Sequence, residues 1–180
     1  MRVLPDRKRV GTSMQRGFFL IEAMVAILIF ALGILGLVAM GGTAVSSQSD
    51  AQYRTDASSL ADAIAAQIAL GIVRTNQASK VASLATFAHL PNPAPTGAAG
   101  GPCSFTGPPA LTSVSAPGVY PLLQRAANLT TSPGLPGATA VNQQIYIDAA
   151  DPFNRVVITL CWKTSSDSAW RRHTLVTYVN

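Results

Sequence analysis

Between Ala23 and Gly42 the chain runs for 20 residues without a charged side chain, and this run limits the possible folds more than any other feature. At 1.5 Å per residue, a helix of that length covers about 30 Å, the thickness of a bilayer core. In the first 17 residues, Arg2, Arg7, Lys8, Arg9 and Arg16 stand against the single acid Asp6. The rest of the 180 residues carries eight basic and seven acidic side chains, so the net charge of +5 sits at the N-terminus and does not mark a nucleic-acid-binding face. Basic residues before the apolar run and almost none just after it predict a cytoplasmic N-terminus and an external C-terminal part. Hydrophobic residues make up 48% and charged residues 12% of the chain. That charged share is about half the usual one for a soluble domain. It excludes a disordered charged tail and points to a membrane or a polymer interface.

A conventional secretory signal has a shorter apolar core of roughly 7–15 residues, followed by a small-residue cleavage site. Gly42-Thr43-Ala44 offers such a site, with a mature terminus near Val45. The length of the run argues against this reading, and so does Glu22 at its upstream edge. A carboxylate next to hydrocarbon is costly and is therefore a functional-site hypothesis by default. Buried in apolar surroundings it needs a partner; at the interface it would face lipid headgroups.

The segment Arg16-Gly17-Phe18-Phe19-Leu20-Ile21-Glu22 resembles the class III signal of type IV prepilins and type II secretion pseudopilins. The resemblance implies cleavage by a prepilin peptidase between Gly17 and Phe18, on the cytoplasmic side, and N-methylation of Phe18. It also implies that Glu22, the fifth mature residue, pairs with the charged N-terminus of a neighbouring subunit during assembly. Phe19 replaces the usual threonine. Glycine before the cut suits a protease cleft, because no side chain interferes with the backbone. The leader would be residues 1–17, or only three or four residues if Met14 is the start.

Downstream of Gly41-Gly42, the apolar positions Tyr53, Ala57, Leu60, Ile64, Ile68 and Ile72 recur at helical spacing, with Arg54, Asp56, Ser59, Asp62 and Gln67 on other faces. This predicts one helix from about Phe18 to about Arg74. Residues 18–42 form its membrane or filament-core half, and residues 43–78 form an amphipathic half that packs on a sheet. Residues 79–180 form a globular head.

Residues 91–137 contain ten prolines and seven glycines, and Val81–Gln124 has no Asp, Glu, Lys or Arg. Regular structure is therefore sparse there. The low charge favours a loop-rich surface pinned onto the sheet over a flexible loop, with a short turn of helix at Tyr120–Leu129. Gln144–Ile147, the alternating run Val156–Lys163 and Trp170–Val179 read as strands, the last two joined by the polar stretch Thr164–Ser168. The fold class is α+β: a long N-terminal helix on a three- or four-stranded antiparallel meander. The resemblance to type IV pilins implies the same architecture. Cys103 and Cys161 both fall outside the cytoplasm in this topology, where a bridge between them would tie the irregular segment to the sheet. The alternative is two unpaired thiols.

No phosphate loop, zinc site or nucleophile elbow appears, so no enzymatic activity, cofactor or metal is expected. His89 and His173 read as surface or strand residues. Arg171 and Arg172, as strand neighbours, point to opposite faces and do not make a nucleic-acid patch. Asn128-Leu129-Thr130 matches a glycosylation sequon of little weight. Within the resemblance, Ile27–Leu37 and the tail are similar to PilV-type minor pilins, the type IV pilus modification proteins. That implies a structural subunit held in the bacterial inner membrane, with its head in the periplasm, that joins a cell-surface pilus and helps initiate assembly near the tip. The implied partners are other minor and major pilins, the prepilin peptidase and the assembly platform. The alternatives are a type II secretion pseudopilin, or an ordinary single-span or secreted protein.

Overall fold

The computed structural model describes residues 16–95, 103–130 and 133–179. Most of the expected leader, residues 1–15, and part of the Pro/Gly-rich stretch lie outside the described residues. Helix α1 runs Arg16–Gly71. No proline interrupts it, and alanine and leucine, its two commonest residues, are strong helix formers. Helix α2 covers Gln77–Ala85 and α3 covers Tyr120–Ala126. After a single 3₁₀ turn at Ala140–Asn142 come three strands, β1 Gln143–Asp148, β2 Arg155–Trp162 and β3 Arg171–Tyr178. They form one antiparallel sheet in the order β1-β2-β3, with Ile145 opposite Ile158 and Ile158 opposite Leu175. The protein is thus α+β, with a long N-terminal helix and a small antiparallel sheet.

The chain divides into two compact units, one ending at Gln48 and one beginning at Ser49. The described residues of the first are the upstream part of α1. Its large apolar side chains, among them Phe19, Ile27, Leu35 and Met40, are exposed, and the helix is long and apolar enough to cross a membrane.

In the second unit, the stripe expected from spacing is the one that packs. Ala57, Leu60, Ile64, Ile68 and Ile72 are buried in one core with Ile145, Val156, Ile158, Leu160 and Trp162. The β2 residues in that core are alternate ones, as a pleated strand requires. Val157, Thr159 and Cys161 point to the opposite face, yet they too are buried. There Leu90, Cys103 and Phe105 gather against Cys161.

The Pro/Gly-rich segment is attached to the sheet at several points. His89 and Ile145 form a two-way backbone bridge at the free edge of β1, with N···O distances of 2.9 and 3.0 Å. Asn92 bridges Thr106 in the same manner. Gln144, on the face opposite the helix, donates to the carbonyls of Leu90 and Pro93 at 3.1 and 2.9 Å. The Asn92-Pro93 and Pro108-Pro109 bonds are cis.

Two boundaries differ from expectation. Helix α1 stops at Gly71, short of Arg74 and of the amphipathic segment drawn to residue 78, because tertiary contacts take over there. The Phe87 ring occupies the space a side chain at Gly71 would need, and the Val73 N–H donates to Ser83 Oγ at 3.0 Å. A new helix then starts at Asn76, whose side chain accepts the Ser79 N–H at 2.8 Å as an N-cap. The second difference is α3, which ends at Ala126. Its first turn carries Pro121, where a missing N–H costs nothing.

Candidate functional site

Three sets of residues carry the functional reading. The first lies in the upstream unit. Gly17 and Phe18 belong to the backbone of α1. Glu22 is exposed one turn further on, in an otherwise apolar surface with Ile21, Val25, Ala26 and Ile29. A lone carboxylate among alkyl groups is stable in water, but in hydrocarbon it requires a counter-charge. The chain supplies no basic residue between Arg16 and Arg54, so within this stretch Glu22 has no cation at helical i+3 or i+4 spacing.

The second set is the cysteine pair. Cys103 and Cys161 are bridged, with 5.9 Å between their Cα atoms and 58 positions between them in sequence. Of the residues expected to be functional, these two are the ones the fold brings together. Their bond joins the irregular segment to the central strand on the sheet face away from α1. In the chain-entropy description, closing a loop of this size stabilises the fold by roughly 4 kcal/mol. The Asn142 side chain adds a hydrogen bond to the Cys103 carbonyl.

The third set is an ion-pair network around Asp167 and Arg171 that no sequence spacing signals. Asp167 sits in the β2–β3 connection and accepts hydrogen bonds from Arg171 Nε and Nη2 at 3.0 and 2.8 Å. It also accepts the Thr164 N–H at 3.0 Å and the Thr164 hydroxyl at 2.8 Å. The Arg171 guanidinium, followed by the Thr164 donors, holds the carboxyl well below the usual range. Arg171 also pairs with Asp50 of α1, and Asp50 in turn pairs with Arg54 at 3.4 Å. Beside this network, Tyr53, Lys163, Ser165 and Trp170 line a groove of about 670 Å³. Asp50 and Arg171 stand 121 positions apart, so no local spacing could have signalled their pairing.

His89, expected as a surface or strand residue, bridges the edge of β1 through its backbone, and its side chain is buried and not at the surface. Its Nδ1 accepts the Leu111 N–H at 3.0 Å, which places the ring proton on Nε2. Burial lowers its pKa, and a hydrogen bond to the Ala140 backbone opposes that shift. The histidine therefore works as a neutral strut among segments that lack regular structure. His173 lies on β3, as expected. Asn128 adopts a left-handed backbone with φ of 55° at the end of α3, and its side chain accepts the Gly134 N–H at 3.2 Å. Among the described residues, no three His, Cys, Asp or Glu side chains gather as metal ligands would.

No protein family, characterised protein or solved structure matches this chain.

Proposed function

We propose that the chain is a non-enzymatic structural subunit of a type IV pilus, a minor pilin of the PilV type. It is inserted in the inner membrane through α1 and then drawn into the fibre, where it helps initiate assembly. The observation that carries this reading is the division of labour within α1. Its upstream part exposes apolar side chains on every face, with a single acid, Glu22, at the start. Its downstream part buries one stripe beneath an antiparallel sheet. A helix that served only as a membrane anchor would need neither the acid nor a continuous run into the head. A helix that passes from lipid into a bundle of like helices needs both: the apolar surface suits either environment, and the carboxylate finds an amine only in the second.

Processing provides the test. The mature protein extracted from membranes should begin with N-methyl-Phe18, and intact-mass measurement should show loss of the leader and gain of one methyl group. A mature terminus near Val45 would refute the proposal and identify a conventional secretory signal. Glu22→Ala should leave membrane insertion unchanged, since removing a charge makes the span more apolar. It should strongly deplete the protein from sheared fibres. Normal incorporation of this variant would eliminate the charge pairing with a neighbouring subunit.

A further inference from the structure

The groove beside the Asp167 network has the chemistry of a ligand site, and its walls are held rigidly. Tyr53 from α1 and Trp170 from the entry to β3 line it together with the Lys163–Asp167 turn and the Pro136-Gly137 corner. The Lys163 N–H donates to the Pro136 carbonyl at 2.9 Å, fixing the corner to the end of β2. Gly137 has φ of +62°, and a side chain there would strike the Lys163 carbonyl, so the close approach depends on glycine. The turn that carries Asp167 is fixed by the four hydrogen bonds that its carboxylate accepts. Such a site loses little freedom when a ligand arrives.

Its charge and surface define the ligand. The Asp167 carboxylate is neutralised by Arg171, and Arg171 and Arg54 are both engaged by Asp50. Of the two charged residues that line the groove, Lys163 and Asp167, Lys163 is the one that no ion pair neutralises among the described residues. Its ammonium donates to the Ser168 carbonyl at 3.3 Å, which uses one of its three donors. Trp170 is 41% exposed, whereas Trp162 is fully buried. The head thus leaves a large aromatic surface in a groove that also carries a few polar side chains, a combination found in small-ligand sites.

We propose that this groove binds an acidic saccharide. The C–H faces of a sugar ring pack on Trp170 and Tyr53, its carboxylate meets Lys163, and the Ser165 hydroxyl serves its hydroxyl groups. Single-stranded nucleic acid fits less well, because it needs a track of cations for successive phosphates and the neighbouring arginines are already paired. The proposal concerns the head alone and stands whether or not the chain enters a filament.

Calorimetric titration of the full chain in detergent micelles with a galacturonic acid tetramer tests it. Saturable binding is expected, weakened about tenfold or more by Lys163→Gln and by Trp170→Ala, the usual loss for one charge-assisted contact or one stacking ring. Lys163→Arg and Trp170→Phe, which keep the cation and the ring, should retain most of the affinity. The methyl-esterified tetramer should bind at least about tenfold more weakly than the acid, for the same charge-assisted contact. Near-ultraviolet circular dichroism would confirm that each variant is folded. Absence of binding to the wild-type chain overturns the proposal, as does equal binding of acid and ester. Binding indifferent to Lys163→Gln and Trp170→Ala places the ligand elsewhere and also overturns it. Tighter binding of a single-stranded oligonucleotide, abolished by Trp170→Ala, would reassign the groove to nucleic acid.

Discussion

Leu35 and Ile64 are large aliphatic residues on the same helix, yet Leu35 is 65% exposed and Ile64 is fully buried. The contrast holds for the two units that contain them. In the upstream unit, the helix satisfies its own backbone, and among the described residues its large apolar side chains are uncovered. In the downstream unit, the same backbone geometry is one wall of a core shared with the sheet. Identical secondary structure can therefore have two sources of stability. Packing holds the head, whereas the upstream helix, long and apolar enough to cross a membrane, exposes alkyl side chains that a medium such as lipid would accept better than water does.

The contrast is broken most severely by removing what the head has and the upstream helix lacks. Replacing both cysteines, Cys103→Ser with Cys161→Ser, should cost the head roughly 4 kcal/mol. Membrane insertion should be unaffected. Denaturant unfolding of the head, set beside membrane fractionation of the same variant, would check both halves of that statement. A loss of insertion would mean that the two units are not energetically separate.

A matched pair of truncations within α1 gives the next largest effect. Ile64→Ala removes a side chain from a fully buried site and should cost about 3 kcal/mol, within the 2–5 kcal/mol usual for such cavities. Leu35→Ala removes similar apolar surface from an exposed site and should leave unfolding of the head within about 0.5 kcal/mol of wild type. The cost of the latter should appear only where the upstream helix meets its own solvent, as weaker membrane retention.

The same division explains what could be read from the sequence. The stripe Tyr53 to Ile72 was legible because one buried face of a helix imposes a period that side-chain types record directly. The strands β2 and β3 were legible because β-branched and aromatic residues cluster there between polar turns. The bridge was legible as a pair of cysteines assigned to an oxidising side, although its alternative stayed open. Residues whose role is set by a distant partner were not legible. Gln143 and Gln144 look like the polar start of a strand, but both are buried: one donates to the Cys161 carbonyl and the other to two loop carbonyls. Asp50 looks like one more solvated helix charge until Arg171 is placed beside it. Helix α2 escaped notice because a nine-residue helix carries too few turns for a period to show. In α1, by contrast, a local pattern repeated over many turns and reported itself.

The smallest expected effects are pH-dependent and belong to the head, since its described groups with shifted pKa values are His89, Arg155, Asp167 and Arg171. His89 has a folded pKa below its unfolded value of about 6.5, because burial disfavours the imidazolium. The native state therefore binds fewer protons than the unfolded chain. The contribution of neutral His89 is complete above about pH 6.5 and declines as pH falls toward the folded value. Protonation would also remove the acceptor for the Leu111 N–H. Asp167 is likewise lowered, by Arg171 first and Thr164 second, so its contribution is complete above the unfolded carboxyl value of about 3.9 and is lost only in stronger acid. The two groups thus act in separate windows. Unfolding midpoints measured from pH 8 to pH 3 should show a first decline beginning near pH 6.5 and a second, steeper one beginning near pH 4, where other carboxylates add to Asp167. His89→Asn, which keeps an acceptor close to the Nδ1 position, should erase the first decline and leave the second. Asp167→Asn should lower stability at neutral pH and flatten the second while preserving the first. If His89→Asn leaves the profile above pH 5 unchanged, the buried imidazole is not the group that titrates there, and the strut between Leu111 and β1 is insensitive to acid.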